Sequence, residues 1–276
     1  MQNSPFFDRQ AFESKLSLYF NQCLPGESTL KKAMGYSLLS PGKRIRPQLV
    51  YETAAQFGLS SALTEPVAFA LEMVHAFSLI HDDLPCMDDD DLRRGLPTNH
   101  KVFGEPMALL AGDALLSHAL ETFGLLVGRI NPLLYQRAFQ LFTRALGGHG
   151  LMGGQAQELE PISTLDTLLK IQKMKTTALF EVAFLVPLIL VGFPPEDEIF
   201  QNYLLLSQAF GFAFQAADDL EDRVQDFSAQ FGSTKNLLSF MPAAELKSTA
   251  QKRLADCAVL ERSPTALELA RRIAAL

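Results

Sequence analysis

The stretch HDDLPCMDDDDLRRG, residues 81–95, places six aspartates within ten positions and follows them with two arginines. Two unit charges ~4 Å apart repel by about 1 kcal/mol in water and about 4 kcal/mol at an effective dielectric of 20, so something must offset this repulsion. Carboxylate oxygens suit Mg²⁺, which usually keeps several waters and binds substrate phosphates. A divalent cation at this stretch would relieve the repulsion.

A second acidic cluster, QAADDLED, occupies residues 215–222. Asp218 and Asp222 are four residues apart and share a helix face, with Gln215 at nearly the same angle. In the first cluster Asp82 and Asp88 are six apart, but Pro85 interrupts the helical ladder and a local bulge would return Asp88 to Asp82. We expect the two clusters to face one another across a cavity, with divalent cations between them.

Other interpretations of the acidic runs fit less well. A single run could be a solvated loop, but here two runs each end a strongly apolar helical stretch. An EF-hand needs glycine at loop position six, where a loop starting at Asp88 has Arg93. A di-iron bundle needs two Glu-x-x-His motifs, and the chain has one, Glu72 to His75.

Basic residues accompany the aspartates in three places. GKRIRP (42–47) holds Lys43 and Arg46, Arg93 and Arg94 follow the first cluster, and KMKTTALF (173–180) holds Lys175 with Thr176. The guanidinium fork favours bidentate phosphate contact, and lysine adds a compact charge. Any one of these is ordinarily a surface charge, but together with two carboxylate clusters they indicate a diphosphate site.

The elements that must position these residues are helices. Apolar residues recur at three- and four-residue spacing over 65–83, 105–128, 133–147, 164–191, 196–222 and 243–274. No alternating strand or Asn-Gly hairpin signal stands out, and the Gly/Pro breakers form short connections rather than a linker. We predict an all-α chain forming one domain over residues 1–276.

Composition excludes several classes of protein. The net charge of −7 and the absence of a Lys/Arg-rich run argue against nucleic-acid binding. Three cysteines without metal-ligand spacing, and an N-terminus without a basic and an apolar region, indicate a cytoplasmic protein. The apolar run 178–193 is shorter than a membrane span and contains Glu181 and Pro187, so we predict a buried core helix and no stable membrane insertion.

At this level of detail the chain resembles the trans-isoprenyl diphosphate synthases, particularly the bacterial farnesyl diphosphate synthases. The segments that carry the resemblance, over roughly residues 35–240, are GKRIRP (42–47), LEMVHAFSLIHDDLPCMDDDDLRRGLPTNHKVFGE (71–105), LLAGDALL (109–116), GGQAQEL (153–159), KTTALF (175–180) and FQAADDLED (214–222). The resemblance implies an isoprenoid-synthase-type helical bundle around a deep central cavity, usually a homodimer.

The resemblance also implies site residues. Mg²⁺, generally three ions, would be held by Asp82, Asp83, Asp88, Asp218 and Asp222. The allylic diphosphate would be bound by Arg93, Lys175, Thr176 and Gln215. Isopentenyl diphosphate would be bound by Lys43, Arg46, His75 and Arg94. The allylic C–O bond would ionise, the isopentenyl double bond would attack the cation head-to-tail, and the departing diphosphate would accept the proton.

Product length depends on Phe77, which lies five residues, about 7.5 Å, below Asp82 on the helix, with Ser78 beside it. An aromatic ring at this position of the family is typical of farnesyl producers and would close the floor of the pocket. Phe77 is equally well explained as a core residue, so geranyl and geranylgeranyl diphosphate stay open as products.

Two features depart from the family pattern. Glu221 stands where the family usually has an apolar residue, and the segment after Asp222 is short, with Lys235 in place of one of two expected lysines. The altered segment leaves open a non-catalytic synthase-like subunit. A terpene cyclase would share the first aspartate motif but would not need Lys43, Arg46 and Arg94 for a second diphosphate.

Overall fold

The computed structural model describes the backbone of residues 6–225 and 235–276, and the same side chains except those of 222–225. The chain divides into two compact units. The N-terminal unit comprises residues 2–51 and 60–130, and the C-terminal unit comprises 52–59 and 131–276. Each is described by itself.

The N-terminal unit is built on two long apolar helices that pack against each other, α4 and α6, with α2 lying across both. Its helices are α1 (Arg9–Cys23), α2 (Thr29–Leu38), most of α3 (Ile45–Gln56), α4 (Ser61–Asp82), α5 (Asn99–Phe103) and α6 (Glu105–Gly124). Asp8 and Ser28 cap α1 and α2 through their side-chain oxygens. Gly112 allows the close approach of α6 to α4, because a Cβ there would lie 2.2 Å from the His81 ring.

The C-terminal unit surrounds α10, which packs against α7 and α11. Its elements are α7 (Pro132–Leu146), α8 (Leu151–Glu158), α9 (Leu165–Gln172), a π-helical turn (Lys173–Thr177), α10 (Ala178–Leu190), α11 (Glu198–Gln225), a 3₁₀ turn (Leu237–Ser239), α12 (Ala243–Ala255), a 3₁₀ turn (Leu260–Arg262) and α13 (Pro264–Ala275). Every residue of α10 except Glu181 is buried. The prediction of a buried core helix over the apolar run is confirmed.

The all-α prediction is confirmed, with differences in detail. The predicted helix 243–274 is wrong as a single element: it is two helices, α12 and α13, separated by the 3₁₀ turn Leu260–Arg262, and Pro264 takes the favourable first position of α13. Helix α8 begins within the glycine-rich stretch GGHGLMGGQ (147–155), one of the Gly/Pro breakers that we expected to form connections, and continues to Glu158. A two-stranded hairpin, Leu92–Arg93 (β1) with Leu96–Pro97 (β2), also forms where no strand was expected.

Among the described residues, one helix is long and apolar enough to cross a membrane by length and composition alone, α4. In its most apolar window 72% of the residues are buried inside the protein. A core helix passes the same test, so this is weak evidence for a span.

Candidate active site

The first aspartate cluster begins where α4 ends at Asp82. The chain then turns back through Pro85, and the backbone N–H of Asp88 donates to the carbonyl oxygen of Asp82 at 2.9 Å. Asp89, with φ of 52°, completes the turn. The predicted return of Asp88 to Asp82 is confirmed for the backbone. Asp88 is exposed and Asp82 half-buried, so two carboxylates stand at one helix end.

Asp83 and Arg93 are bound to each other. The Arg93 guanidinium donates to Asp83 Oδ1 from Nε at 2.8 Å and from Nη2 at 2.5 Å, and Nη2 also reaches Asp90 Oδ2 at 2.5 Å. The Asp83 side chain is only 4% exposed, and this burial raises its pKa although Arg93 opposes the rise. In this arrangement the predicted metal ligand Asp83 and the predicted diphosphate ligand Arg93 neutralise one another.

A hairpin turn begins at Arg94, directly after Arg93, whose partner across the hairpin is Leu96. Arg94 and Gly95 have φ of 55° and 78°, the pair of positive values that a type I′ turn requires. The hairpin is tied to α2, because Tyr36 donates its hydroxyl to the carbonyl oxygen of Pro97 at 2.8 Å. The sequence signal for this turn, Arg-Gly, is weaker than the Asn-Gly we looked for.

The predicted isopentenyl diphosphate residues lie together in the N-terminal unit. Arg94 Nη2 lies 3.3 Å from His75 Nε2, and Arg94 Nη1 donates to the Pro41 carbonyl oxygen at 3.0 Å. Burial, followed by the charges of Arg46 and Arg94, holds the pKa of His75 well below its usual range. A neutral His75 can accept the Arg94 N–H. Lys43 is exposed on the same loop.

The loop carrying these cations is held by a residue that sequence reasoning missed. Arg44, at a φ of 50°, is buried and donates to Glu72 Oε1 at 2.6 Å and to the Ser40 carbonyl oxygen at 2.6 Å. Both side chains are at most 3% exposed. Glu72 lies one helical turn before His75, so this ion pair fixes the loop against the helix that carries His75. Glu72, a carboxylate in an otherwise apolar stretch of α4, was the available signal.

In the C-terminal unit, α8 and the π-helical turn position Lys175. Its Nζ donates to Glu158 Oε2 at 2.6 Å. A Cβ on Gly154 would lie 2.6 Å from the Lys175 backbone nitrogen, so glycine is required for this approach. Thr176, half-buried, lies on the same turn. Glu158 was not predicted, although it belongs to the quoted GGQAQEL segment.

The second aspartate cluster lies near the end of α11. Asp218 Oδ1 accepts from Arg272 Nη2 at 3.1 Å, and Glu221 takes two further bonds from the same guanidinium. Buried Asp219 accepts from Gln215 Nε2 at 2.9 Å and from the Leu237 N–H at 2.8 Å. Gln215, predicted to contact diphosphate, is therefore engaged with Asp219. Asp222 is in α11, but its side chain lies outside the described residues.

The side chains that could coordinate a metal ion are carboxylates. Within the described part of the chain, no three His, Cys, Asp or Glu side chains lie close enough to enclose a metal ion. The available donors, Asp82, Asp88 and Asp218, are carboxylates that remain partly accessible. Mg²⁺ usually binds through one or two carboxylates and completes its shell with waters and substrate phosphate, so these residues fit it.

The chain was compared with protein families and solved structures. The polyprenyl synthetase family model matches residues 27–262. The chain belongs to the polyprenyl synthetase family.

Three relatives are similar to the chain over most of its length. The chain is 43% identical over 218 residues to farnesyl diphosphate synthase of Geobacillus stearothermophilus, covering 78% of this chain and 72% of that protein. The match to farnesyl diphosphate synthase of Bacillus subtilis is 41%, covering 78% and 73%. The large subunit 1 of a heterodimeric chloroplast geranylgeranyl pyrophosphate synthase of Arabidopsis thaliana is 42% identical, covering 74% and 57%.

Solved structures of the family are also similar over nearly the whole chain. An apo FPP/GFPP synthase of Zymomonas mobilis has a TM-score of 0.84 at 32% identity, with 96% of each chain covered. A geranyltransferase of Legionella pneumophila has a TM-score of 0.85 at 27% identity, covering 96% of this chain and 94% of that one. The predicted isoprenoid-synthase fold is confirmed.

The remaining residues of this polyprenyl synthetase that we singled out are Phe77, Ser78 and Lys235. Phe77 is buried, with its ring edge-on to His81 at 4.9 Å between centroids. The Ser78 hydroxyl donates to the His75 carbonyl oxygen at 2.9 Å. Lys235 is exposed, and residues 226–234 before it lie outside the described residues. The roles of all three stay predictions.

Proposed function

We propose that the protein condenses isopentenyl diphosphate with an allylic diphosphate, dimethylallyl or geranyl, and that farnesyl diphosphate is its main product. The observation that carries this proposal, within a family of polyprenyl synthetases, is the group that Arg94 and Arg46 form around neutral His75, beside the loop that carries Lys43. An enzyme that only ionised one diphosphate would not need this group in addition to the aspartates.

The first role of the chain is to hold two anions. Lys43, Arg46, His75 and Arg94 would bind isopentenyl diphosphate. Arg93, Lys175, Thr176 and Gln215, with Lys235, would bind the allylic diphosphate. Lys175 Nζ donates to Glu158 Oε2 at 2.6 Å, so Glu158 would orient the ammonium until a phosphate replaces it.

Asp82, Asp88 and Asp218, with Asp83 and Asp222 in support, would hold Mg²⁺, and we propose three ions. Bound Mg²⁺ would neutralise the leaving diphosphate and so lower the barrier to breaking the allylic C–O bond. The protein contributes orientation and a chamber of apolar side chains for the hydrocarbon tail. The departing diphosphate accepts the proton, so no protein base is assigned.

The state of assembly is also a proposal. Helices α5 and α6 carry four exposed apolar side chains: Val102, Leu109, Leu110 and Leu120. Exposed apolar surface of this kind marks protein interfaces. A second copy of the chain is the partner we propose for it. Cytoplasmic location and a single functional domain over 1–276 stay predictions.

The test is a product assay with purified protein, Mg²⁺, isopentenyl diphosphate and either allylic primer, with a chelated control. Chelator-sensitive formation of a fifteen-carbon diphosphate is the expected result. No elongation by folded protein would contradict the proposed activity and favour a synthase-like subunit.

Product length is tested separately with Phe77→Ala. If the ring closes the floor of the pocket, the variant forms a twenty-carbon product. An unchanged product length would place the floor elsewhere. Ser78→Ala, one residue along α4, is the matched comparison for the adjacent position.

A further inference from the structure

An arginine from the last helix lies on the second aspartate cluster. Arg272 donates to Glu221 Oε1 from Nε and to Glu221 Oε2 from Nη2, each at 2.5 Å. The same Nη2 reaches Asp218 Oδ1 at 3.1 Å. One guanidinium therefore bridges the proposed metal ligand and the glutamate that departs from the family pattern.

Helix α13, which carries Arg272, is held at both ends. At its start, buried Glu52 accepts from the hydroxyls of Ser263 at 2.9 Å and Thr265 at 2.7 Å, and from the Thr265 N–H. A carboxylate there also suits the positive end of the helix dipole. At its end, Lys247 Nζ donates to the Ala274 carbonyl oxygen at 3.0 Å. The position of Arg272 is thus set by the packed helix.

The guanidinium lies against Asp218 Oδ1, a carboxylate oxygen that could also bind a cation. Glu221 and Asp218 both raise the pKa of Arg272, chiefly through the Glu221 hydrogen bonds, so the charge is permanent. Arg272 is 17% exposed, against 37% for Asp218 and 34% for Glu221. Asp219 is engaged with Gln215 and Leu237 instead. The strong bidentate bond goes to Glu221, and the longer, single bond goes to Asp218.

We propose that Arg272 is a built-in counter-cation of the second metal site: it neutralises Asp218 while metal is absent and competes with the divalent ion for that carboxylate. Glu221 keeps Arg272 in place when Asp218 turns to the metal. This inference rests on the proposed function, because it takes Asp218 as a metal ligand. In this proposal Arg272 and Glu221 together set the affinity of the site for metal.

The direction of the effect follows from the competition. In the wild-type protein the metal must displace the Arg272 bond before it gains Asp218. Without the guanidinium, Asp218 and Glu221 repel each other and a divalent ion relieves that repulsion. Removal of Arg272 therefore strengthens metal binding and makes the folded state depend more on metal.

The probe is Mn²⁺, titrated into the full-length, chelator-treated protein and followed by the electron paramagnetic resonance of the free ion, with and without inorganic pyrophosphate. Arg272→Gln is expected to bind Mn²⁺ at least threefold more tightly than wild type. The matched control is Arg271→Gln, which removes the same charge one residue away. Arg271 is 73% exposed and pairs with Glu268, so its variant should bind as wild type does.

Thermal unfolding gives a second readout. In EDTA, Arg272→Gln should melt below Arg271→Gln, and saturating Mn²⁺ should close that gap. If Arg272→Gln does not fold in EDTA, Arg272→Lys takes its place. Lysine keeps the charge but not the fork, so it should hold Asp218 less firmly and bind Mn²⁺ more tightly than wild type.

The outcomes separate this inference from the proposed function. Equal or weaker Mn²⁺ binding by Arg272→Gln, or an equal gain in Arg271→Gln, overturns the competition. Asp218→Asn tests the metal assignment itself: if it binds Mn²⁺ as wild type does, Asp218 is not a ligand and the proposed function is at fault. If Asp218→Asn loses Mn²⁺ while Arg272→Gln gains none, only the further inference fails.

Discussion

The two aspartate clusters are neutralised in different ways. In the first, Asp83 and Asp90 are bound by Arg93, and Asp91 is bound by Lys101 at 2.7 Å, so each cation comes from the same short segment. In the second, Asp218 and Glu221 are bound by Arg272, which follows more than fifty residues later. The first cluster is organised by its own turn and hairpin, and the second by the packing of a distant helix.

The two clusters also differ in burial, because the first contains a buried carboxylate and the second a partly exposed one. The Asp83 side chain is 4% exposed, and that of Asp218 is 37% exposed. A carboxylate removed from water needs its cation to remain in place, whereas an accessible one can exchange partners at small cost. This difference favours Asp83 as a mainly structural carboxylate and Asp218 as the one that would exchange arginine for the proposed metal.

The largest effect is expected on turnover. Asp82→Asn and Asp218→Asn should each lower kcat by about a hundredfold or more, because each removes a proposed metal ligand. Asp89→Asn is the control, since Asp89 is exposed in the same run and asparagine also tolerates its positive φ. Steady-state rates at saturating Mg²⁺ measure this. Near-normal turnover by either ligand variant would remove that cluster from the metal site.

The next effect is on stability. Arg93→Gln leaves Asp83 buried beside a neutral group and should cost about 3 kcal/mol of unfolding free energy. Arg272→Gln uncovers a more accessible pair and should cost about 1 kcal/mol in EDTA. Urea unfolding of both variants in EDTA measures the difference. Equal losses would mean that the burial of the two carboxylates does not decide their dependence on the cation.

Much of the fold could be predicted because it depends on local patterns. The helices over 65–83 and 105–128 correspond to α4 and α6, whose apolar periodicity records their burial. Helix α8 was missed, because glycine is a poor helix former in isolation. Its glycines are required by tertiary contact, as Gly154 against Lys175 demonstrates. Contacts of this kind leave no local signal.

In the candidate site, too, local contacts could be predicted and contacts between distant residues could not. The return of Asp88 to Asp82 depends on Pro85 and six consecutive residues, and could be predicted. The bond between Arg272 and Asp218 could not, because the two residues are 54 positions apart and their types do not reveal which charges meet. Arg44 illustrates the same limit: it stands between Lys43 and Arg46, and only its burial distinguishes it from them.

A smaller effect should appear in the pH dependence of stability. Burial and neighbouring arginines lower the pKa of His75 in the folded protein, so the unfolded chain binds a proton first as pH falls. The contribution of neutral His75 is complete above its unfolded pKa of about 6.5 and is lost as pH falls toward the folded value. Urea unfolding at pH 8 and pH 5.5 should show a smaller loss in His75→Gln than in wild type. An identical loss would show that His75 is not held neutral by these arginines.

The smallest effect is expected at a half-buried carboxylate that belongs to neither cluster. Burial raises the pKa of Glu181, Lys173 opposes the rise from a distance, and the Gln208 amide donates to it at 3.4 Å. Because the folded pKa is raised, the carboxylate destabilises the fold at pH values above that pKa and ceases to do so as pH falls through it. Glu181→Gln should therefore stabilise the protein by less than about 1 kcal/mol at pH 8 and leave it unchanged at pH 4. A loss of stability at pH 8 would mean that Glu181, like Asp83, is stabilised by a cation, and that burial alone does not separate structural carboxylates from the rest.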